Sequence, residues 1–188
     1  MNLTKHTELR PVSKLVSQDS KNPILTVRVA TIADVALIRR LIAELADYEK
    51  EPDQVRTTEA DIARDGFGAN PQFRVLIGEW RGEPVGFAVF FHYYSTWRGA
   101  GLYLEDLFVS PEFRGRGIGS ALLAHVARTA EQEGRVFIRW AVLNWNQRAI
   151  DMYKSLGAHF LDDWRIVLLA GDSLRKLAEQ TGSTKTHG

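Results

Sequence analysis

The chain predicts an α/β (α+β) domain in which a mixed sheet is flanked by helices, and three observations carry that reading. Apolar runs of strand character alternate with segments of helical periodicity. Some runs are joined by a short turn, as in a hairpin meander, while later ones are separated by helices, as in βαβ crossovers. At 188 residues the chain is long enough for one well-buried domain and too short for two ordinary ones.

Residues 1–23 are rich in Ser, Lys, Thr and Asn with little periodicity, so they read as a polar extension, and 181–188 as a flexible tail. The expected folded domain is therefore 24–180. Residues 24–30 alternate as a first strand. Thr31 followed by Asp34 signals a helix start ahead of Val35, Ile38, Leu41, Ile42 and Leu45 at helical spacing. Residues 49–53 read as loop, and a short helix opens at Thr57 or Thr58 and stops near 66–68. Strands 73–80 and 85–94 are joined by the turn 81–84, and 102–109 supplies a fourth strand. A long helix follows Gly117, then a strand at 136–143, a helix opened by Asn146 and closed at Gly157, and a last strand at 164–169. Asp172 or Ser173 caps a terminal helix to Gln180.

Composition removes several function classes. The 24 basic and 23 acidic residues leave no net field for nucleic acid or an anionic membrane. The absence of cysteine excludes disulfides, thiolate metal sites and a cysteinyl intermediate. His6, His92, His125, His159 and His187 fall at no metal-ligand spacing, so no bound metal is expected. No apolar run reaches the ~18 residues that span a bilayer, and the first 22 residues lack a signal-peptide core, so the expected location is cytoplasmic.

The chemistry concentrates at Arg114-Gly115-Arg116-Gly117-Ile118-Gly119, between the strand 102–109 and the long helix. Alternate glycines let the backbone turn tightly and approach a ligand, and the helix start supplies N–H groups and a positive dipole end. That combination makes a pyrophosphate cradle. An ATP-binding P-loop needs GxxxxGK[ST], and no Lys stands beside Ser120; a dinucleotide loop needs GxGxxG early in the chain, and here the spacing is GxGxG in mid-chain.

The spacing Arg114-x-x-Gly117-x-Gly119 instead resembles the acetyl-CoA loop of the GCN5-related N-acetyltransferases (GNAT). The likeness extends from Val27 to near Leu177. The runs LIAELADYE from Leu41, DGFG from Asp65, LYLEDLFV from Leu102, Trp145-Asn146 and MYKSLGA from Met152 resemble the diamine (spermidine/spermine) and thialysine acetyltransferases. The resemblance implies a GNAT-like central mixed, mostly antiparallel sheet, acetyl-CoA as cosubstrate, a small-molecule primary amine as acceptor, and a homodimer. It places the pantetheine arm along Leu107, Phe108 and Val109 and the pyrophosphate on Arg114, Gly115, Arg116, Gly117, Ile118, Gly119 and Ser120, with Asn146 at a cofactor contact.

Acetyl transfer to an amine needs a neutral nucleophile and a proton for the departing thiolate. The resemblance makes Glu105 the candidate base, acting through water, and a second substrate contact. Asp106, its neighbour, points to the opposite face if the strand is regular. Tyr153, about two turns into its helix, is the candidate acid, because a phenol of pKa ~10 stays protonated at neutral pH and can donate to a thiolate whose thiol has pKa ~8.5. Tyr48 and Glu49 match the family's substrate positions, and Asp162 and Asp163 stand near its later acidic pair. Lys50, Pro52 and Arg139 depart from the polyamine pattern. The positive charge of Lys50 and Arg139 opposes a polycation and leaves room for a shorter diamine or a lysine-like amine. Competing readings are a protein or peptide amine as acceptor, and a non-catalytic CoA-binding module, against which Glu105 and Tyr153 both speak.

Overall fold

The computed structural model describes residues 24–180; the expected extension 1–23 and tail 181–188 lie outside the described residues. The chain divides into two units, the first ending at Ala141 and the second beginning at Val142.

In the first unit, β1 (Leu25–Val29), β2 (Arg74–Trp80), β3 (Glu83–Ser95), β4 (Gly99–Val109) and β5 (Ile138–Arg139) form one sheet in that order. The first three pairings are antiparallel and the fourth is parallel, which is the mixed, mostly antiparallel sheet expected. The β2–β3 turn is tighter than the sequence suggested. Trp80 pairs with Glu83, so only Arg81 (φ 54°) and Gly82 (φ 82°) are left to turn the chain. Two left-handed residues give the hairpin turn whose twist matches that of the strands. Pro84, which has no N–H to give a ladder, sits where the register shifts beside Gly78 and Glu79.

The helices of this unit are α1 (Val35–Glu49), α2 (Glu59–Phe67) and α3 (Ile118–Gln132). The Thr31/Asp34 signal is a capping box, and it is braced: Arg28 on β1 gives Asp34 two bonds, at 2.8 and 2.7 Å, which hold that carboxyl down at about 2. Of the two threonines, Thr58 is the one that caps α2, through Asp61. Ile38 and Leu41 of α1 and Ile62 of α2 pack on Val75, Ile77, Phe87, Val89 and Phe108, forming the core on one face of the sheet. On the other face lies α3, so close that a Cβ added to Gly78 would fall 2.9 Å from Ile118 Cγ2.

One irregularity in β4 decides which carboxylates meet. Val89 stands opposite Asp106 and Phe90 opposite Leu104, so Glu105 is an extra residue, a β-bulge. The parallel ladder to β5 pairs only Leu102 and Tyr103, ending just before this bulge, so the expected strand 136–143 reduces to two residues. A bulge bends its strand, and β4 beyond it has no β5 partner.

The second unit holds α4 (Gln147–Ser155) and α5 (Gly171–Gln180). The expected strand at 164–169 does not form. Its composition suits a strand, but no other strand pairs with it among the described residues, and Ile166, Val167 and Leu168 are 79, 88 and 85% exposed. The last helix opens at Gly171, slightly before the expected caps.

Candidate active site

Side-chain alternation along β4 changes phase at the bulge. Leu102 and Leu104, both buried, precede it, and Phe108, two residues beyond Asp106, joins the core beneath α1. Asp106 therefore shares the α1 face with Val89 and Phe108, and the regular-strand geometry that would have separated it from that face does not hold. Burial pushes its carboxyl up to about 7, and the charges of Glu105 and Glu49 push in the same direction. Glu105 itself is exposed. Glu49, the last residue of α1, is also raised by burial. Three carboxyl groups thus converge near the C-terminal end of a 15-residue helix, where the helix dipole is negative as well. Such a place favours a cation.

Tyr48, beside Glu49, tilts over Phe108 with ring centroids 6.5 Å apart, and Phe108 in turn meets Phe87 edge-on. The Phe108 side chain is therefore core, leaving only its backbone for a ligand.

The glycine loop continues directly from this strand. Ser110 N–H bonds the Val85 carbonyl at 2.8 Å, so by strand alternation Val109 turns its carbonyl away from β3, where Arg114 Nε donates to it at 2.8 Å. No strand pairs with Leu107, Phe108 or Val109 on that outer side among the described residues. A single 3₁₀ turn, Pro111–Phe113, then delivers the chain to Gly115 (φ 82°) and Gly117 (φ 81°), left-handed positions that glycine adopts without steric cost. Gly117 is the N-cap of α3, and at Gly119 a Cβ would meet only Val109 Cγ2, at 3.8 Å, so the mouth of the helix is open space. An unpaired strand edge leading into a glycine-lined helix N-terminus fits an extended amide arm followed by a pyrophosphate. The two arginines are engaged locally. Arg114 lies over Tyr48 and Phe108, while Arg116 lies over Trp80 and Phe113 and donates to the Glu112 carbonyl at 3.2 Å.

In the second unit, Asn146 caps α4 by accepting the Ala149 N–H at 3.3 Å. Tyr153 is buried, and burial raises its phenol to about 12. Asp162 lines a cavity of about 270 Å³ together with Val142, Asn144, Gln147, Ile150, Lys154 and Phe160, and Asp163 is exposed nearby in sequence.

Among the described residues no three His, Asp or Glu side chains gather as metal ligands, and no helix is long and apolar enough to cross a membrane. His92 instead joins Arg74 and Arg135 around Glu133, with Nε2 3.0 Å from Glu133 Oε2. The feature hardest to see in the sequence is the bulge. Its one signal was a pair of carboxylates interrupting an apolar strand.

A sheet whose fourth strand is freed at its outer edge beside a glycine cradle defines a GNAT-type transferase fold. The chain belongs to the acetyltransferase (GNAT) family, whose sequence profile matches residues 38–158, and it is accordingly an N-acetyltransferase of the kind that uses acetyl-CoA. It is 44% identical over 163 residues to a thialysine N-epsilon-acetyltransferase of Sus scrofa, covering 81% of this chain and 96% of that one. It is 39% identical over 139 residues, 70% of this chain and 20% of the other, to the human spermidine/spermine N(1)-acetyltransferase-like protein 1. An integron cassette protein from the V. cholerae mobile metagenome shares the fold with a TM-score of 0.69 and 25% identity, over 83% of this chain and 98% of that one.

Proposed function

We propose that the protein moves the acetyl group of acetyl-CoA directly onto a primary amine of a small molecule, a diamine, polyamine or lysine-like amine, giving an amide and free CoA. The observation that supports this acceptor is the bulge, which sets Asp106 beneath Glu49 with Glu105 alongside, immediately before the glycine cradle. The relatives' names point the same way, one being a thialysine acetyltransferase and the other a spermidine/spermine acetyltransferase-like protein.

An alkylammonium of pKa about 10.4 is neutral in only roughly one molecule in two thousand at pH 7, so the site must remove a proton. Glu49 and Asp106 hold the ammonium, with Tyr48 walling the pocket. Glu105, exposed at the bulge, takes the proton through water. The backbone of Leu107, Phe108 and Val109 pairs with the pantetheine amides, and the N–H groups from Arg114 to Ser120 hold the pyrophosphate. Asn146 adds a cofactor contact, and Asp162 and Asp163 hold a second cationic group where the acceptor has one. Tyr153, protonated well past neutral pH, returns a proton to the departing sulfur.

The domain is taken as 24–180 and the location as cytoplasmic, and the resemblance to the diamine acetyltransferases extends to a homodimer, which light scattering tests. Catalysis is tested by CoA release from acetyl-CoA against diamines, polyamines, lysine analogues and short peptides. Turnover with small amines is expected. Tight CoA binding without turnover of any amine would make the protein a binding module instead.

A further inference from the structure

On the face that carries Asp106, the sheet surface continues past the bulge to Tyr103 on β4, Phe91 and Tyr93 on β3, and Arg139 on β5. The register fixes this neighbourhood: Phe91 stands opposite Tyr103, and Tyr103 opposite Arg139. Phe91 and Tyr103 stack with centroids 5.3 Å apart, and Tyr93 lies 5.9 Å from Tyr103. Arg139 is half-buried against this aromatic wall. Its guanidinium carbon lies 5.4 Å from the centre of the Tyr93 ring, and Nη1 donates to the Tyr93 hydroxyl at 3.0 Å. Arg139 makes no ion pair among the described residues.

A half-buried guanidinium steadied by one phenol and lacking a carboxylate carries a desolvation cost that a bound anion would offset. The acidic group lies on the same wall. Burial is the main influence raising the Tyr103 phenol, and beyond it the hydroxyl feels both ends, Glu105 raising it and Arg139 lowering it. Glu105 and Arg139 are two residues along and one strand across from each other, about 8 Å at the backbone. An extended amino acid with a lysine-length side chain reaches about that far from its side-chain nitrogen to its carboxylate.

We propose that Arg139, oriented by Tyr93, receives the α-carboxylate of the acceptor, so that the preferred acceptor is an amino acid with a side-chain amine and a diamine is disfavoured. The assignment rests on acetyl transfer to a small primary amine. It deepens that reading because one residue both attracts the carboxylate and repels the second cation of a diamine. Tyr93 is a positioning residue in this scheme.

The test compares two acceptors that differ only in the carboxylate, S-(2-aminoethyl)-L-cysteine and bis(2-aminoethyl) sulfide, with the full chain and saturating acetyl-CoA. The wild type favours the amino acid in kcat/KM by at least about tenfold, the effect expected for a charge-assisted bidentate contact. Arg139→Met collapses the ratio about 10- to 100-fold, mainly through the KM of the amino acid. Arg139→Lys, which keeps the charge without the fork, restores part of it, and Tyr93→Phe lowers it partway. Equal use of both acceptors by the wild type, or a ratio that survives Arg139→Met, overturns the role of Arg139 while leaving acetyl transfer standing. Transfer to neither acceptor by the wild type overturns the acetyl-transfer reading itself, and this assignment with it.

Discussion

The Arg114 guanidinium lies 4.0 Å from the centre of the Tyr48 ring, and four residues earlier on each segment Ser110 Oγ donates to Glu44 at 2.7 Å. Positions 44 and 48 share one face of α1, while 110 and 114 bracket the 3₁₀ turn at the start of the glycine loop. Two ties thus fasten the helix that ends in Glu49 to the glycine loop proposed above to cradle the donor.

If the ties transmit position, weakening one alters both substrates. Arg114→Met and Tyr48→Leu should each raise the KM of the amine as well as the Kd of CoA. The double variant should lose less than the sum, with a coupling of about 1 kcal/mol in a double-mutant cycle. Strict additivity would reduce the contact to packing.

The raised carboxyl of Asp106 makes a prediction of definite sign. Its folded value is about 7, against about 3.9 for an unfolded aspartate. Between those values the folded chain keeps a proton that the unfolded chain releases, so this group lowers stability as pH climbs from about 4 to about 7, and the loss persists above. Asp106→Asn should therefore stabilise the protein at pH 8 by about 1–2 kcal/mol, with no gain at pH 4, as read from urea midpoints. The same variant should raise the KM of the amine, a separation of stability from function that a purely structural aspartate would not give.

Tyr153→Phe should lower kcat by about 10²-fold while leaving the Kd of CoA within about a factor of three. Because its phenol is raised to about 12, the wild-type rate should show no loss assignable to Tyr153 at neutral or mildly alkaline pH. Undiminished turnover in the variant would remove the acid role.

At the far end of the sheet, Glu133 is held down to about 2, chiefly by Arg74 and then by His92 and Arg135. A depressed carboxyl contributes stability above its unfolded pKa, about 4.3, and loses it as pH falls toward 2. Glu133→Gln should cost about 1 kcal/mol at pH 7 and nothing at pH 2, measured by thermal melts at both values.

Much of this fold was legible because local chemistry and burial agree. The Thr31/Asp34 cap, the helix start at Thr57 or Thr58, the β2–β3 hairpin and the helix after Gly117 all follow from short-range rules, and the structure keeps each, choosing Thr58 at the second. The glycine loop was legible because spacing alone separates it from other phosphate loops. Elements that depend on a distant partner were not. Residues 164–169 have strand composition without a strand neighbour among the described residues, and β5 stops where β4 bends, which no property of 136–143 announces. The place of Asp106 was hidden for the same reason, since a bulge is defined by pairing across β3 and β4.

The shortness of β5 reaches beyond catalysis. A bare strand edge is a template for any extended chain, and proteins normally blunt such edges with charge, proline or a covering segment. Here the blunting agent beside the glycine loop is small: Arg114 occupies the Val109 carbonyl, and among the described residues no strand of the sheet pairs along that rim. A molecule that lays its amides along Leu107–Val109 would shield the same atoms through which two unloaded copies could stick. Solubility on prolonged storage should then track occupancy by CoA, making the donor a guardian against self-association as well as a reagent.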